Sequence, residues 1–491
     1  MKRFLSAGIP VKILSILSLL ALLALLLPML NAAKYDVPSA DDYGYGIDTY
    51  FAWKETGSFL KVLEAAFHQI GATYRGWQGS FSAIFMFLMN PMIYGEQYYQ
   101  ICPWLIIGML LAGIFSLTIT VWKGIYGASL HEAVFIAVIW AVLCTQFLPR
   151  ASQGFYWYNG AVYYTFFFGL AACTYALLLR FLLRKEGEKG IGRLLTGSVL
   201  LFFIGGGNLV TGLTTAVLIV TMEVLLIFLK NEDWKKMLIP AVCFFAGFLI
   251  NVAAPGNAVR QQFFYRPGVF PSVVIAFRQV WLFSGKWYTL PVIALLLLSL
   301  PMLLRIAART RRTFKAPWLV SLYSVCLSGV MFYPPVYSMT EHNLEQLGRI
   351  INIIFFGMML LTIYNLFYWT GWLLQKGVLR ETMFPAAHRN RLSLTFLLLI
   401  LVLFSFGMTR IKWFDTTSIS AFRSYRSGQM GNYWHIYRQR LEILKDPEIR
   451  DAVLKRFPSR PYVLFYQELS ENPDGNRVIA SWYGKDSVII H

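Results

Sequence analysis

The succession of long apolar runs is the feature that most constrains the fold of this chain. About eleven stretches, each near the length that a helix needs to cross a bilayer, recur between residue 12 and residue 409. They lie at about residues 12–30, 103–122, 131–149, 161–183, 193–205, 213–229, 237–253, 287–306, 317–333, 349–374 and 393–409. Only 14% of the 491 residues are charged, whereas soluble proteins carry about 25%. We therefore predict a polytopic α-helical membrane protein with about 11 transmembrane helices.

The distribution of Lys and Arg predicts how these spans are oriented. Basic residues cluster in alternate loops, on the side shared with the N-terminus, and the opposite short loops contain fewer of them. The positive-inside rule accounts for this pattern, so the net charge of +19 is explained by topology and not by nucleic-acid binding. With an odd number of spans, we predict a cytoplasmic N-terminus and an extracytoplasmic C-terminus.

The first apolar run has two interpretations. Met1-Lys2-Arg3 followed by an apolar stretch is compatible with a secretory signal peptide. However, the stretch is longer than the usual apolar core of such a peptide, and Asn31-Ala32-Ala33 is a poor cleavage site. We therefore favour an uncleaved membrane anchor, which places the following loop outside.

This first outer loop, residues 32–100, contains several structured elements. Apolar residues at spacings of 3 to 4 over 49–72 predict an amphipathic helix lying at the membrane surface. The apolar stretch 81–92 is too short to cross twice, so it predicts a re-entrant or interfacial element. Asp41 and Asp42, near the start of the loop, are functional candidates because acids beside a membrane span are costly. Alternatively, they only mark the end of a helix.

Two polar clusters follow spans on the predicted outer side. The segment 205–212 contains three consecutive glycines and Asn208; it suits close backbone approach and anion binding, or only a tight hairpin. The segment 251–262 contains Asn257 and Arg260. The Arg260 guanidinium could bind a phosphate in a bidentate manner, or it could pair with an interfacial lipid or a loop acid.

A third polar cluster occupies residues 341–349. If this segment is helical, Glu345 lies one turn from Arg349, which then either pairs with Glu345 or faces a phosphate. His342 is either a metal ligand or an ordinary hydrogen-bonded residue, and the absence of a His-Glu-x-x-His motif favours the second. The sequence also lacks a P-loop, a dinucleotide-binding fingerprint and a nucleophile elbow, which argues against nucleotide-driven chemistry.

The last segment, residues 409–491, has a different, polar composition. We predict a helix over about 433–457, strands over 462–466 and 478–483, and a turn at 472–476. The chain is therefore predicted to comprise a transmembrane domain, 1–408, and a small α+β extracytoplasmic domain, 409–491.

This outline resembles the GT-C superfamily of polyprenyl-phosphate-sugar-dependent glycosyltransferases. A single anchor, an outer loop that begins with an acid pair, many further spans and a small outer C-terminal domain carry the resemblance. Four motifs are more closely similar to bacterial membrane proteins grouped as the DUF6056 family. They are Asp-Asp-Tyr-Gly-Tyr (41–45), Arg-Gly-Trp-Gln-Gly (75–79), Asn-x-x-x-Pro-Gly-Asn-x-x-Arg (251–260) and Trp-Tyr-Gly-Lys-Asp-Ser (482–487). The resemblance covers essentially the whole chain.

The resemblance implies an inverting sugar transfer in a bacterial plasma membrane. The donor would be a polyprenyl-phosphate-linked sugar, and the acceptor a cell-surface glycan or a lipid-linked molecule at the outer face. An acid matching Asp41 or Asp42 would act as general base. The second acid, here Asp42, would orient the base or hold Mg²⁺ or Mn²⁺, because the class contains metal-using and metal-independent members. For the donor phosphate the first candidate is Arg260, followed by Arg75 and Arg349.

The remaining predicted substrate contacts are polar or aromatic residues of the same motifs and clusters. They are Tyr43, Trp77, Gln78, Asn208, Asn257, His342 and Glu345. Trp77 and Gln78 would bind a sugar face and its hydroxyls, although an interfacial tryptophan is also a common membrane anchor. Two other functions stay open: a flippase or permease for a lipid-linked or polar solute, and a non-catalytic envelope protein. A transporter predicts polar groups at mid-membrane depth, for which Glu132 and Glu223 are the candidates.

Overall fold

The computed structural model describes residues 8–39, 41–264, 267–338, 341–379, 391–411, 416–471 and 473–491. Helices form most of the described chain, and its strands form two short pairs. Within these residues, eight helices are long and apolar enough to cross a membrane. The chain is therefore an α-helical, multi-pass membrane protein.

The elements follow one another in three groups along the chain. The first group comprises β1 (Gly8–Pro10), α1 (Val11–Ala32), α2 (Asp41–Thr56), α3 (Phe59–Gly76), α4 (Phe81–Leu88), α5 (Cys102–Ile119), α6 (Leu130–Gln146), α7 (Ala151–Phe155) and α8 (Tyr158–Leu182). The second comprises α9 (Ile191–Gly205), α10 (Leu209–Phe228), α11 (Trp234–Val252), α12 (Pro255–Gln261), α13 (Val269–Trp287), α14 (Leu290–Arg309), α15 (Pro317–Ser338) and α16 (Gly348–Gln375). The third comprises β2 (Arg391–Ser393), α17 (Leu394–Arg410), α18 (Thr417–Arg426), α19 (Gln429–Lys445), β3 (Asp451–Leu454), α20 (Arg477–Tyr483) and β4 (Ser487–Ile490).

Helices form at all the positions where apolar runs predict spans, but not all of them are long. The eight long apolar helices contain α1, α5, α8, α10, α11, α14, α15 and α16. The others, α6, α9 and α17, have 17, 15 and 17 residues. A helix of 15 residues such as α9 is about 23 Å long, less than the roughly 30 Å hydrocarbon core. The count of 11 spans therefore stays a prediction.

One end of the helix bundle, which we call the α2 end, gathers the loops that carry the predicted functional motifs. Asn251 in the last turn of α11 donates hydrogen bonds to the carbonyls of Gly205 and Gly207, at 3.0 and 2.8 Å. The backbone N–H of Gly79 donates to Asn257 at 3.0 Å. The first loop and the loops after α9 and α11 therefore meet at this end.

The loops rich in Lys and Arg meet at the opposite end. Arg184 and Asp233 link the loop after α8 to the start of α11, at 2.7 Å. Arg309 at the end of α14 binds Glu132 at the start of α6, at 2.6 Å. This separation agrees with the alternation of basic loops in the sequence. Which end faces the cell exterior stays a prediction.

The first loop forms two helices where the sequence predicted one over 49–72. Gly57 separates α2 from α3 and has φ +60°, a backbone conformation that favours glycine. On α3, Phe59, Leu60 and Phe67 are exposed, which suits a helix lying on a membrane surface. The stretch 81–92 forms the short helix α4 and the 3₁₀ turn Pro91–Tyr94, neither long enough to span.

Helix α13 was not predicted from the sequence. Its apolar residues are interrupted by Arg278 and Lys286, so the segment does not read as a membrane span. Phe283 stacks on Phe332 of α15 with ring centroids 5.3 Å apart. The predicted span at 287–306 accordingly begins only at Leu290.

The C-terminal segment corrects three secondary-structure predictions. The helix predicted over 433–457 ends at Lys445, because Pro447 holds the preceding Asp446 in an extended conformation, with φ −72° and ψ 115°. Residues 462–466 form a turn and an irregular stretch, and 478–483 belong to helix α20, which Gly484 terminates with φ +68°. The strands are instead β3 and β4, paired in parallel. The division of the chain at residue 409 into two domains stays a prediction.

Candidate functional site

A cavity of about 270 Å³ lies at the α2 end between α8, α10, α11, α12 and α15. Aromatic rings and prolines form much of its wall, and Arg260 is the charged side chain among its lining residues. The aromatic and proline residues are Tyr163, Tyr164, Phe248, Tyr333, Pro334, Pro335 and Tyr337. A mostly apolar wall with few polar groups is typical of sites that bind organic ligands.

Asp41 lies in the first turn of α2 with its side chain exposed to solvent. Loss of surrounding water nevertheless raises the pKa of its carboxyl, while the positive charges of Arg349 and Arg260 act in the opposite direction. Asp41 is therefore an exposed carboxylate within electrostatic reach of two guanidinium groups.

Arg260 is held in the cavity wall by the segment that follows α3. Its guanidinium donates a hydrogen bond to the side-chain carbonyl of Gln78, which is 5% exposed. The same guanidinium lies 5.5 Å from the ring centroid of Trp77. The predicted contacts Trp77 and Gln78 thus fix the position of Arg260, and Trp77 remains partly exposed beside it.

Two glycines allow this arrangement because the backbones of the two motifs nearly touch. A Cβ atom on Gly79 would lie 1.9 Å from the carbonyl oxygen of Asn251. A Cβ atom on Gly256 would lie 2.6 Å from the backbone nitrogen of Trp77. The Arg-Gly-Trp-Gln-Gly and Pro-Gly-Asn-x-x-Arg motifs therefore form one structural unit, which Asn257 joins through its bond from Gly79.

Arg349 reaches the same region from the first turn of α16. Its backbone N–H donates to the side chain of Gln153 at 3.1 Å, and its guanidinium lies 4.9 Å from the ring centroid of Trp157. The Tyr164 side chain, which lines the cavity, is hydrogen-bonded to Arg349. In the part of the chain that the structure describes, neither Arg349 nor Arg260 forms an ion pair with a carboxylate. Both charges are therefore available to an anionic ligand.

Asp42 occupies a different environment from its neighbour. It is completely buried and accepts hydrogen bonds from the N–H of Ser39 at 3.0 Å, the hydroxyl of Tyr99 at 2.8 Å and the N–H of Asn159 at 3.3 Å. Burial raises the pKa of the Asp42 carboxyl to about 7 in spite of these bonds. Its position suits a role in holding the start of α2 and does not suit direct contact with a substrate.

The predicted metal role of Asp42 does not fit this geometry. Its oxygens accept three hydrogen bonds from N–H and O–H groups in a fully buried site, whereas a hard cation such as Mg²⁺ requires an octahedral set of oxygen ligands. Among the described residues, no group of three or more His, Cys, Asp or Glu side chains comes together as a metal site. We therefore derive no catalytic step from a metal at Asp42.

Three further predicted residues are structural or lie away from the cavity. Tyr43 is 4% exposed and packs edge-on against Trp482, with centroids 5.3 Å apart. Asn208 caps α10 by accepting a hydrogen bond from the N–H of Thr211 at 2.8 Å. Arg75 is exposed, folds back over Gly71 of its own helix, and does not line the cavity. The predictions that these residues bind donor or substrate are therefore not supported by their positions.

The third polar cluster is not the α-helix on which its interpretation depended. Glu341–Gln346 is a 3₁₀ helix, and α16 begins only at Gly348. Glu345 is exposed and pairs with Lys286 of α13, so the predicted alternative of a Glu345–Arg349 salt bridge is wrong. The side chain of His342 lies outside the described residues, and its role stays a prediction.

The tyrosines of the cavity were missed at the sequence level. Tyr163 and Tyr164 lie in a π-helical stretch, Val162–Phe166, within α8, and such stretches frequently mark functional sites. Tyr333 and Tyr337 stack with centroids 5.7 Å apart at the end of α15. Apolar periodicity does not reveal a π-helical turn. The Tyr-Pro-Pro sequence at 333–335, in contrast, is an unusual motif within an apolar span and could have identified Tyr333 as a candidate.

The two acids within apolar runs have contrasting surroundings. Glu132 is fully buried and accepts hydrogen bonds from Arg309 at 2.6 Å and from the N–H of Ser129 at 2.8 Å. It therefore has a structural role at the end opposite α2. Glu223 lies in an otherwise apolar groove of about 510 Å³ between α10 and α11, where its carboxyl oxygens have no hydrogen-bond partner among the described residues.

No family model matches the chain, and it matches no curated protein or solved structure. The function therefore has to be argued from the geometry of the cavity and its charged rim.

Proposed function

We propose that this protein is an inverting glycosyltransferase of the GT-C type. It would move a sugar from a polyprenyl-phosphate donor to a hydroxyl of a cell-envelope glycan or lipid-linked acceptor at the outer face of a bacterial plasma membrane. One observation carries the proposal: an exposed carboxylate, Asp41, lies within electrostatic reach of Arg349 and of Arg260, and Arg260 lines a cavity where membrane helices end.

The two arginines support a phosphate group as part of the substrate. Guanidinium groups bind phosphate oxygens through paired N–H donors, and they stabilise a phosphate that leaves as an anion. Trp77 and Trp157 hold Arg260 and Arg349 through ring contacts that leave the positive charges intact.

Asp41 supports the proton transfer that such a reaction needs. In the proposed step, Asp41 accepts the proton of the acceptor hydroxyl while the acceptor oxygen bonds to the anomeric carbon. The bond from that carbon to the phosphate oxygen breaks at the same time, and the lipid phosphate leaves with the electron pair. A positioned general base contributes about 10² to 10⁴ in rate. The raised pKa of the Asp41 carboxyl makes it a stronger base than an ordinary surface aspartate.

The groove beside the cavity supports a donor with a long apolar chain. Leu213 of α10 and Phe248 of α11 line the cavity, and Val220 and Phe245 line the groove. Residues seven or three positions apart lie on the same side of a helix, so the groove continues the cavity along the same pair of helices. A polar head at the arginines would therefore leave its chain directed along an apolar surface.

The test is transfer of radiolabelled sugar by the purified protein in nanodiscs, with a panel of polyprenyl-phosphate sugars and envelope extracts as acceptors. Wild type should transfer label, and Asp41→Asn should lower the rate by about 10² or more. Asp48→Asn is the matched control, because Asp48 is an exposed acid on the same helix, and it should behave as wild type.

Chelation by EDTA should leave the rate unchanged, because the residues at Asp42 do not fit a divalent cation. Retained turnover in Asp41→Asn would overturn the proposed mechanism. No transfer from any donor by folded wild type, with acceptor extracts present, would favour the transporter or non-catalytic alternatives.

A further inference from the structure

The C-terminal segment reaches the residues that surround the candidate site. The ring of Phe465 stacks on Trp157 with centroids 4.5 Å apart and planes inclined by 17°. Trp157 is 7% exposed and is the same ring that lies 4.9 Å from the Arg349 guanidinium. Phe465, Trp157 and Arg349 therefore form a continuous chain of contacts that ends at the rim of the cavity.

A second contact links the same segment to the acid side of the site. The N–H of Gln467 donates to the hydroxyl of Ser39 at 2.8 Å. The N–H of Ser39 in turn donates to the carboxylate of Asp42 at 3.0 Å, and Asp42 follows the exposed Asp41 in the first turn of α2. Phe465 therefore contacts Trp157, which packs on Arg349, and Gln467 contacts Ser39, which is hydrogen-bonded to Asp42.

The segment is itself firmly held. Tyr466, between the two contact residues, accepts a hydrogen bond from Arg440 of α19 at 3.0 Å. Arg440 is 2% exposed and also binds Glu468 at 2.9 Å. Buried charge-assisted bonds of this kind restrict movement, so Phe465 is presented to Trp157 by a rigid support.

We propose that Phe465 is a positioning residue, which holds Arg349 at the cavity rim by fixing the ring of Trp157. The inference rests on the proposed function, in which Arg349 binds the donor phosphate. A long arginine side chain has many rotamers, and ordering it on binding costs affinity. A fixed aromatic ring beneath the guanidinium removes part of that cost before the donor arrives.

The expected effect follows from the strength of such contacts. Aromatic and cation–π contacts each contribute about 0.5 to 1.5 kcal/mol, so Phe465→Leu should weaken donor binding by about 2-fold to 10-fold. Phe465→Tyr keeps the aromatic ring and should therefore bind the donor with wild-type affinity. Tyr462→Ala is the matched control, because Tyr462 is 61% exposed in the same turn, and it should have no effect.

The first measurement is binding of radiolabelled farnesyl phosphate to the full-length protein in nanodiscs. The Phe465→Leu change is made in wild type and in Arg349→Ala, and thermal unfolding confirms that each variant is folded. If Phe465 acts through Arg349, its replacement weakens binding in wild type and has no further effect in Arg349→Ala. An equal loss in both backgrounds, or no loss in either, would overturn the positioning role.

The second measurement does not depend on any ligand. Phenylglyoxal modifies accessible arginines, and mass spectrometry of peptides gives a rate for each one. In Phe465→Leu the rate at Arg349 should rise, whereas the rate at Arg260 should stay as in wild type. An unchanged rate at Arg349 would overturn the inference. If wild type fails to bind farnesyl phosphate while the Arg349 rate rises as expected, the proposed donor is wrong and the coupling of Phe465 to Arg349 stands.

Discussion

The buried acid Asp42 makes the stability of the protein depend on pH in a direction that can be stated in advance. Burial raises the pKa of its carboxyl from the ordinary value of 3.8 to about 7. In the unfolded chain this group loses its proton near pH 4, whereas in the native protein it keeps the proton up to about pH 7. Between these values the native state binds more protons, so stability falls as the pH rises.

The size of the fall follows from the two pKa values. Each tenfold change in proton affinity corresponds to about 1.4 kcal/mol, so Asp42 lowers the free energy of unfolding by about 4 kcal/mol between roughly pH 4 and pH 8. Asp42→Asn replaces the carboxyl by a neutral group of the same shape and should remove this slope. The pKa of the neighbouring buried Asp36 is also raised, by burial and by the charge of Asp42, so the difference between the two curves reports Asp42 together with its interaction with Asp36.

The assay is SDS-induced unfolding in mixed micelles across this pH range for wild type, Asp42→Asn and the exposed control Asp48→Asn. The free energy of unfolding of wild type, relative to that of Asp42→Asn at the same pH, should fall by about 4 kcal/mol as the pH increases across this range. A pH-independent offset between the two curves would reflect the hydrogen bonds of the amide in Asp42→Asn, not the titration of Asp42. Parallel curves for wild type and Asp42→Asn would refute the assignment of a raised pKa to Asp42.

Two further predictions concern the unit formed by the 75–79 and 251–260 motifs. Gly79→Ala should lower the free energy of unfolding by about 2 to 4 kcal/mol in the same assay, because its Cβ would overlap the Asn251 carbonyl. Gly44→Ala is the control and should not destabilise the protein, because no atom lies within 4 Å of the added Cβ. Equal stability of the two variants would contradict the close packing of Gly79 against Asn251. Arg260→Ala should weaken farnesyl phosphate binding by about 10-fold to 100-fold, as expected for the loss of a charge-assisted hydrogen bond. Arg75→Ala should leave the measured affinity unchanged. If Arg75→Ala weakened binding and Arg260→Ala did not, Arg75 and not Arg260 would be the phosphate-binding residue.

The positions of the membrane helices could be predicted because burial in lipid requires long apolar runs. The sequence also brought Asp41, Arg260 and Arg349 forward as candidates, since charged groups next to such runs are rare. It could not separate Asp41 from Asp42. Adjacent residues on a helix point about 100° apart, and only the packing around α2 decides which one is exposed and which is buried. The same limit explains why Arg75, on the exposed side of α3, ranked together with Arg349 behind Arg260 as a phosphate-binding candidate.

Other parts of the site depend on contacts between distant segments. Nothing local in the sequence pairs Phe465 with Trp157, or Lys286 with Glu345, because these partners come together only in the folded chain. Two of the incorrect predictions in the C-terminal segment have local causes in the sequence. Pro447 and Gly484 both mark helix ends, and each lies at the boundary of an element that was assigned incorrectly.

The most direct test of the central claim is a cryo-electron microscopy structure of the protein in nanodiscs with bound farnesyl phosphate. The account predicts that the phosphate lies within hydrogen-bonding distance of both Arg260 and Arg349, beside Asp41, with the apolar chain entering the groove between α10 and α11. A phosphate bound elsewhere, or bound there by neither arginine, would contradict the assignment of this cavity as the donor site.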